Sequence, residues 1–273
     1  MDYSKNSIHT QIDVKENIVV IEKLNKSYFF NRKKRLILSN INFKIKEGEF
    51  ICLLGPSGCG KSTLLDMLGG FTFPDSGNVI VNNSLVKKPG PERGFVFQRN
   101  SLIPWLTLEE NVGYGLKLKN ESKLLIKENV DRFMRLVGLE NYSNLYPHQL
   151  SGGMQQRGCI IRSLINNPKI LLMDEPFGAV DAQTRTLLQE MLLDIWRKVG
   201  TTIIFVTHDI DEAILLADRI FIMGVNPGHI KEIVKVNISR PRTFKTSLDP
   251  EFQVSKIKIL ESIREETSKI IKY

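Results

Sequence analysis

No apolar run in these 273 residues approaches the roughly 20 needed to cross a bilayer, so work at a membrane would have to pass through a partner. Cysteine is scarce. Cys52, Cys59 and Cys159 are odd in number, fall in apolar or glycine-rich stretches and lack metal-ligand spacing, which argues against a disulfide framework or zinc module and reads as reduced thiols of a cytosolic protein. Residues 1–16 are polar, with no apolar stretch ahead of a small-residue cleavage site, so no secretory signal is expected. Internal repeats and low-complexity segments are absent. Acids are outnumbered, 30 against 38 Lys and Arg, for a formal charge of +8; that excess admits nucleotide, nucleic acid or an acidic membrane face as partner. Part of it sits in Arg32, Lys33, Lys34 and Arg35, which read as a solvated turn between two strands. What remains is ordinary globular composition, 42% hydrophobic and 25% charged, enough for one large core or a core with a subdomain.

Short apolar runs end at chemically loaded turns. Phe50–Leu54, Ile170–Met173 and Thr202–Val206 are continuous rather than alternating, as expected of strands covered on both faces of a parallel sheet. Ligands of such sheets bind beyond the carboxyl ends of the strands, so the glycine loop after Leu54, Asp174 with Glu175, and His208 are predicted on one edge. From Ser76 to Phe97 the runs Asn78–Val81 and Gly94–Phe97, separated by Asn82-Asn83 and Pro89-Gly90-Pro91, predict antiparallel structure appended to that sheet. From Glu109 to Asn141 the period turns helical: Ile126, Val130, Phe133 and Val137 form a packing stripe and Gly138 a stop. The reading is an α/β fold: a P-loop NTPase core with a mostly parallel sheet, an antiparallel β subdomain and an α-helical subdomain inserted at about 101–165. After Pro250, Phe252, Ile257, Leu260 and Ile263 predict a terminal helix docked on its own domain.

The stretch Gly55, Pro56, Ser57, Gly58, Cys59, Gly60, Lys61, Ser62 has the spacing of a Walker A loop, with Thr63 following in the helix. Its glycines let backbone N–H groups turn toward phosphate oxygens; the helix offers its positive end, Lys61 reaches the terminal phosphates and Ser62 can ligate Mg²⁺. Cys59 lies inside this loop, so a bulky thiol reagent is expected to inhibit and nucleotide to protect. Asp174 would hold Mg²⁺ while Glu175 orients and polarises the attacking water; taken alone, two acids after a strand would be a cap or turn. His208 could contact the γ-phosphate or hold Glu175 in register, and the Gln98 amide could ligate Mg²⁺ and hydrogen-bond the water.

Leu150-Ser151-Gly152-Gly153-Met154-Gln155 is a second glycine-rich helix start, and the first loop already takes the phosphates from its own side. Two copies packed head to tail would let each offer Ser151 to the other's nucleotide. In this arrangement the chain resembles the nucleotide-binding subunits of ATP-binding-cassette transporters, whose signature reads LSGGQ; here Met154 stands in the fifth position and Gln155 follows. The resemblance runs from about Ile18 to Arg242. It implies an ATPase using ATP and Mg²⁺, a cassette domain over 17–245 and a short helical tail over 246–273. It implies Ser151, Gly152 and Gly153 as nucleotide-contacting, Asp181 in a D-loop with Val180 where Leu is commoner, a switch at Thr207-His208-Asp209, and Tyr28 as the ring stacking on adenine, although Tyr28 could equally pack in a strand. Arg99–Thr107, Asn226-Pro227-Gly228-His229-Ile230 and Ser239–Arg242 resemble elements of the nitrate, sulfonate and taurine importer group, with His229 where Arg is usual. The resemblance therefore implies a peripheral subunit on the cytoplasmic face of the cell membrane: a homodimer with two shared sites, transmembrane permease partners and, indirectly, an extracytoplasmic solute-binding protein. A soluble cassette acting on nucleic acid or ribosomes is the alternative, but the chain lacks both the long coiled coil and the second cassette of those proteins, and no nucleic acid is expected.

Overall fold

The computed structural model describes residues 17–271; the polar stretch 1–16, read above as carrying no signal, lies outside them. Asn17–Phe30 (β1) and Lys33–Lys46 (β2) pair as a long antiparallel hairpin. Asn31 and Arg32, both at positive φ (47° and 63°), close it, the geometry a two-residue hairpin turn requires. Asn82 and Asn83 (φ 49° and 60°) close a second hairpin between Ser76–Val81 (β4) and Ser84–Leu85 (β5). These strands form a four-stranded sheet ordered β2-β1-β4-β5.

The three continuous apolar runs become Phe50–Leu54 (β3), Ile170–Asp174 (β7) and Thr202–Thr207 (β8), mutually parallel in the order β3-β8-β7. Arg219–Gly224 (β9) adds in parallel beside β3, and His229–Lys235 (β10) closes that edge antiparallel. Alternate residues of each strand enter opposite cores. Cys52, Met173 and Phe205 face most of the helices, while Leu53, Leu172 and Val206 face the smaller sheet and the helix after the glycine loop. Both faces are dry, which is why the runs show no alternation.

One expectation is corrected. Arg93–Val96 (β6) belongs to the parallel sheet, at its other edge, with Gly94 opposite Leu171 and Val96 opposite Met173. Its entry is pinned by Glu92, whose carbonyl accepts from Lys169 N at 2.8 Å and Ile170 N at 3.2 Å. Composition marks a strand but not its partner; these long-range bonds choose it.

Between β6 and β7 the chain is helical: Leu108–Leu118 (α2), Lys123–Leu136 (α3) and Gly152–Leu164 (α4), with 3-10 turns at Glu140–Tyr142 and Pro147–Gln149. Thr107 and Glu110 form a capping box on α2. Val130 and Phe133 are buried on α3, and Gly138 (φ 65°) turns the chain away. The other helices are Lys61–Gly69 (α1), Ala182–Val199 (α5), Ile210–Leu216 (α6) and Pro250–Ile271 (α7).

Two basic side chains of the Ser239–Arg242 element hold the end of α6. Buried Arg242 donates to the carbonyls of Ile214 (3.0 Å), Ala217 (2.7 Å) and Ile238 (2.8 Å). Burial, with Arg240 nearby, pulls its pKa down to about 10. Arg240 donates to Leu216 O and Asp218 while stacking over Trp196. The last carbonyls of a helix need such donors. The C-terminal helix forms and docks as expected through Phe252 and Ile263, but Ile257 and Leu260 are exposed and Ile259 is buried. Its inward stripe continues through Ser262 and Glu266, polar residues that an apolar pattern passes over.

Candidate functional site

The carboxyl ends of β3, β7 and β8 gather most of the singled-out residues. Helix α1 is preceded by Gly60, which sits at φ 97°, a conformation that favours glycine. No side chain caps this helix start, so its first N–H groups remain available to an anion. The Lys61 ammonium folds back over the loop, 2.8 Å from Gly55 O and 3.0 Å from Pro56 O. Ser62, one residue on, donates from its hydroxyl to Asp174 Oδ1 at 3.1 Å, tying the glycine loop to the end of β7.

Burial raises the Asp174 carboxyl above its usual range; Glu175 and Asp66 add to the effect, while the Ser62 hydrogen bond and Lys61 oppose it. A carboxylate crowded by acids and short of cationic partners suits a hard divalent ion. Among the described residues no three of His, Cys, Asp and Glu converge as a complete metal cage. Mg²⁺ is usually held by one or two carboxylates with substrate phosphates and water, and Asp174 beside the Ser62 hydroxyl supplies donors of that kind.

Glu175 takes φ 42°, strained for a side chain of its kind and a conformation that clusters at functional sites. Its amide donates to Val206 O at 3.0 Å. Its Oε2 lies 3.1 Å from His208 Nδ1 and 3.5 Å from Gln98 Nε2. Three residues distant in sequence therefore meet at one carboxylate oxygen. His208 is otherwise open to solvent, its side chain 63% exposed.

Ser151, Gly152, Gly153 and Asp181 sit in a separate cluster. Ser151 caps α4, accepting from Met154 N at 3.3 Å, and Asp181 caps α5, accepting from Thr184 N at 3.0 Å. The N–H and hydroxyl of Thr184 hold the fully exposed Asp181 carboxyl below its ordinary range. A Cβ at Gly153 would lie 2.7 Å from Thr184 Cγ2, so the two helix starts touch. Among the described residues, no hydrogen bond or ion pair joins this cluster to the glycine loop. Tyr28 lies in β1, opposite Arg35 of β2, with Lys26 Nζ 5.0 Å from the centre of its ring.

Cys59 corrects one expectation: it is 1% exposed, and burial raises its thiol against the opposing influence of Lys61. The thiolate is the reactive form. A bulky maleimide should therefore label the native chain slowly with or without nucleotide, and rapidly once it is unfolded in urea, as mass spectrometry would record.

Sequence reasoning missed Glu212. It is buried on α6, accepts from Gln189 Nε2 at 2.9 Å and from the Thr207 hydroxyl, and its carboxyl is raised chiefly by burial. It thereby connects the segment carrying His208 to α5, which starts at Asp181. The Glu in His208-Asp209-Ile210-Asp211-Glu212 was visible as a letter, but its burial depends on α5.

A family model described as ABC transporter matches residues 38–178. The chain belongs to the ABC transporter family. As a member of it the protein is an ATPase, working on ATP with Mg²⁺. Over 252 residues the cassette is 48% identical to an uncharacterized ABC transporter ATP-binding protein, MJ0412, of Methanocaldococcus jannaschii, covering 92% of this chain and 93% of that one. It is 44% identical to the aliphatic sulfonates import ATP-binding protein SsuB of Bacillus anthracis, covering 89% and 94%. Among solved structures the cassette resembles the dimeric post-hydrolysis state of the ATP-binding cassette MJ0796 bound to ADP and Pi, with TM-score 0.71, 34% identity and 81% and 100% coverage. It also resembles cbiO1 of Clostridium perfringens, with TM-score 0.73, 27% identity and 89% and 95% coverage. No helix among the described residues of the cassette is long and apolar enough to cross a membrane.

Proposed function

We propose that two copies of this chain enclose two ATP molecules and drive a membrane importer of small sulfonates or related anions. The observation that carries the reading is the division of the site: the glycine loop, Asp174, Glu175, His208 and Gln98 form one cluster, and Ser151 with Asp181 another, with no hydrogen bond or ion pair from it to the glycine loop among the described residues. A two-fold dimer unites the first cluster of each copy with the second of its partner. The dimeric MJ0796 cassettes support the arrangement.

In this reading the backbone of Gly55–Thr63 cradles the phosphates, Lys61 reaches the terminal one and Tyr28 stacks on the base. Ser62, Asp174 and Gln98 hold Mg²⁺, which supplies charge neutralisation on the phosphates. Glu175 Oε2 accepts a hydrogen bond from the attacking water and polarises it, with His208 and Gln98 fixing the carboxylate. Ser151, Gly152, Gly153 and Asp181 complete the partner's site. Residues 17–245 form the cassette domain, with the helical subdomain at about 101–165 inside it, and 246–273 the tail.

The link to a permease runs through the segment after Gln98. Asn100 donates to Gln155 at 3.1 Å, and Arg162 donates to Ser101 O at 2.7 Å. Both tie the segment to α4, the helix that Ser151 begins. Trp105 is 76% exposed, and the neighbouring Leu106 lines a cleft of about 420 Å³ between α2 and α3 with Tyr114 and Ile126. An exposed large ring beside an apolar cleft suits a helical partner segment. Such a subunit sits on the cytoplasmic face of the membrane, and a solute-binding protein delivers the cargo outside.

The SsuB relatives support sulfonates as cargo. Cells deleted for this chain should fail to grow with an alkanesulfonate as only sulfur source while growing on sulfate. Restoration by the wild-type chain and not by Glu175→Gln is the expected result. Undiminished growth of the deletion strain would reject the sulfonate assignment.

A further inference from the structure

We propose that Glu266, on the C-terminal helix, is a positioning residue for the phosphate loop, acting through the turn Val225–Gly228 on which that loop rests. Glu266 is a carboxylate with 0% exposure. Its Oε2 accepts from Val225 N at 3.0 Å, and its Oε1 accepts from Lys269 Nζ at 2.6 Å. Lys231 Nζ lies 3.4 Å from Oε1 and also donates to Ser262 O and Glu265 Oε2. Burial works to raise this carboxyl; the hydrogen bonds from Lys269, the Val225 amide and Lys231 outweigh it and hold it below its usual range.

The turn that Glu266 grips touches the phosphate loop backbone to backbone. Gly228 N donates to Ile37 O at 2.8 Å and Gly228 O accepts from Ser39 N at 2.9 Å, fixing the turn to β2. A Cβ at position 228 would stand 2.0 Å from Cys59 O, and one at Gly55 would stand 2.8 Å from Met223 O. The start of the phosphate loop at Gly55 and its middle at Cys59 thus lie directly on β9 and its following turn, backbone against backbone. The amide groups that cradle phosphate are useful only when aimed, and displacement by a fraction of an ångström weakens them. Anchoring the floor of the loop by a buried carboxylate keeps that aim. This gives Asn226–His229 and the tail helix a shared purpose: one supplies the floor and the other clamps it.

The effect falls on ATP binding rather than on chemistry, because Glu175, His208 and Gln98 hang from other strands. Glu266→Ala in the full chain should raise KM for ATP by roughly tenfold with kcat changed less than about threefold, the pattern of lost uniform binding. Glu266→Gln keeps an oxygen for the Val225 amide and should hold KM near wild type although its ion pairs are gone. Glu266→Asp keeps the charge but falls short of the amide, and should raise KM as Ala does; it also covers the case in which Ala does not fold. Lys269→Met removes only an ion pair and should lower Tm without moving KM. A fall in Tm with unchanged KM in both Glu266→Ala and Glu266→Asp would make Glu266 a structural clamp only and overturn the proposal, as would Gln behaving like Ala. The inference rests on Gly55–Thr63 binding ATP; Lys61→Ala tests that separately, and ATP affinity surviving Lys61→Ala would defeat the loop assignment whatever Glu266 does.

Discussion

Glu175→Gln is expected to lower kcat for ATP hydrolysis by about 10²–10⁴-fold, the range for loss of a positioned general base, while leaving ATP affinity within a few fold. The amide keeps the size of the carboxylate, so His208, 3.1 Å from Oε2, retains a partner and the segment does not collapse. What disappears is the negative charge that polarises water. Because the glycine loop and Ser62 are untouched, nucleotide should bind and remain uncleaved. Phosphate release under saturating ATP measures the first effect and equilibrium binding the second. Near-normal kcat would remove Glu175 from the reaction, and lost binding would assign it a structural role in holding the end of β7.

Ser151→Arg should be equally damaging by another route. Ser151 lies in the cluster with Asp181, apart from the phosphate loop of its own chain, so the substituted chain should bind ATP normally and fail to hydrolyse it, by at least about 10²-fold if its hydroxyl and neighbouring amides aim at the partner's γ-phosphate. Lys61→Ala should fail at the other cluster. Mixing the two inactive chains should regain activity, because a mixed pair has one site carrying both lesions and one carrying neither. Random pairing of a two-fold dimer leaves about a quarter of the wild-type sites intact. Wild-type hydrolysis by Ser151→Arg alone would refute the shared site.

The fold was legible where local chemistry and tertiary role coincide. Phe50–Leu54 and Ile170–Met173 are dry on both sides, so their unbroken apolarity announces parallel strands and the loaded turns that follow them. Gly60 needs its left-handed φ for local reasons, and so the glycine loop is visible as spacing. The run Gly94–Phe97 predicts an antiparallel partner, but the strand it forms, Arg93–Val96, is parallel to β7, because nothing inside a four-residue strand names its neighbour; Glu92 O and the Lys169 amide do. Of the tail residues that predict docking, Phe252 and Ile263 pack inward while Ile257 and Leu260 face water, since the inward stripe also contains Ser262 and Glu266. Glu212, Arg242 and Glu266 share this property: each is a buried charged or titratable group whose burial is compensated by carbonyls, amides or side chains far away in sequence. Those partners exist only once the chain has folded, and an apolar pattern has no symbol for them. The division of the candidate site into two clusters was foreshadowed by two glycine-rich helix starts, one of which is superfluous to a single nucleotide.

The most direct test of the two-chain site is the mass of the Glu175→Gln chain in solution, measured by light scattering with and without ATP and Mg²⁺. Two chains closing around unhydrolysed ATP predict a shift from 31.2 kDa toward twice that mass on adding nucleotide. Introducing Ser151→Arg into the same chain should abolish the shift while ATP remains bound one per chain. A Glu175→Gln chain that stays monomeric with ATP bound, or a doubly substituted chain that still dimerises, would contradict the account.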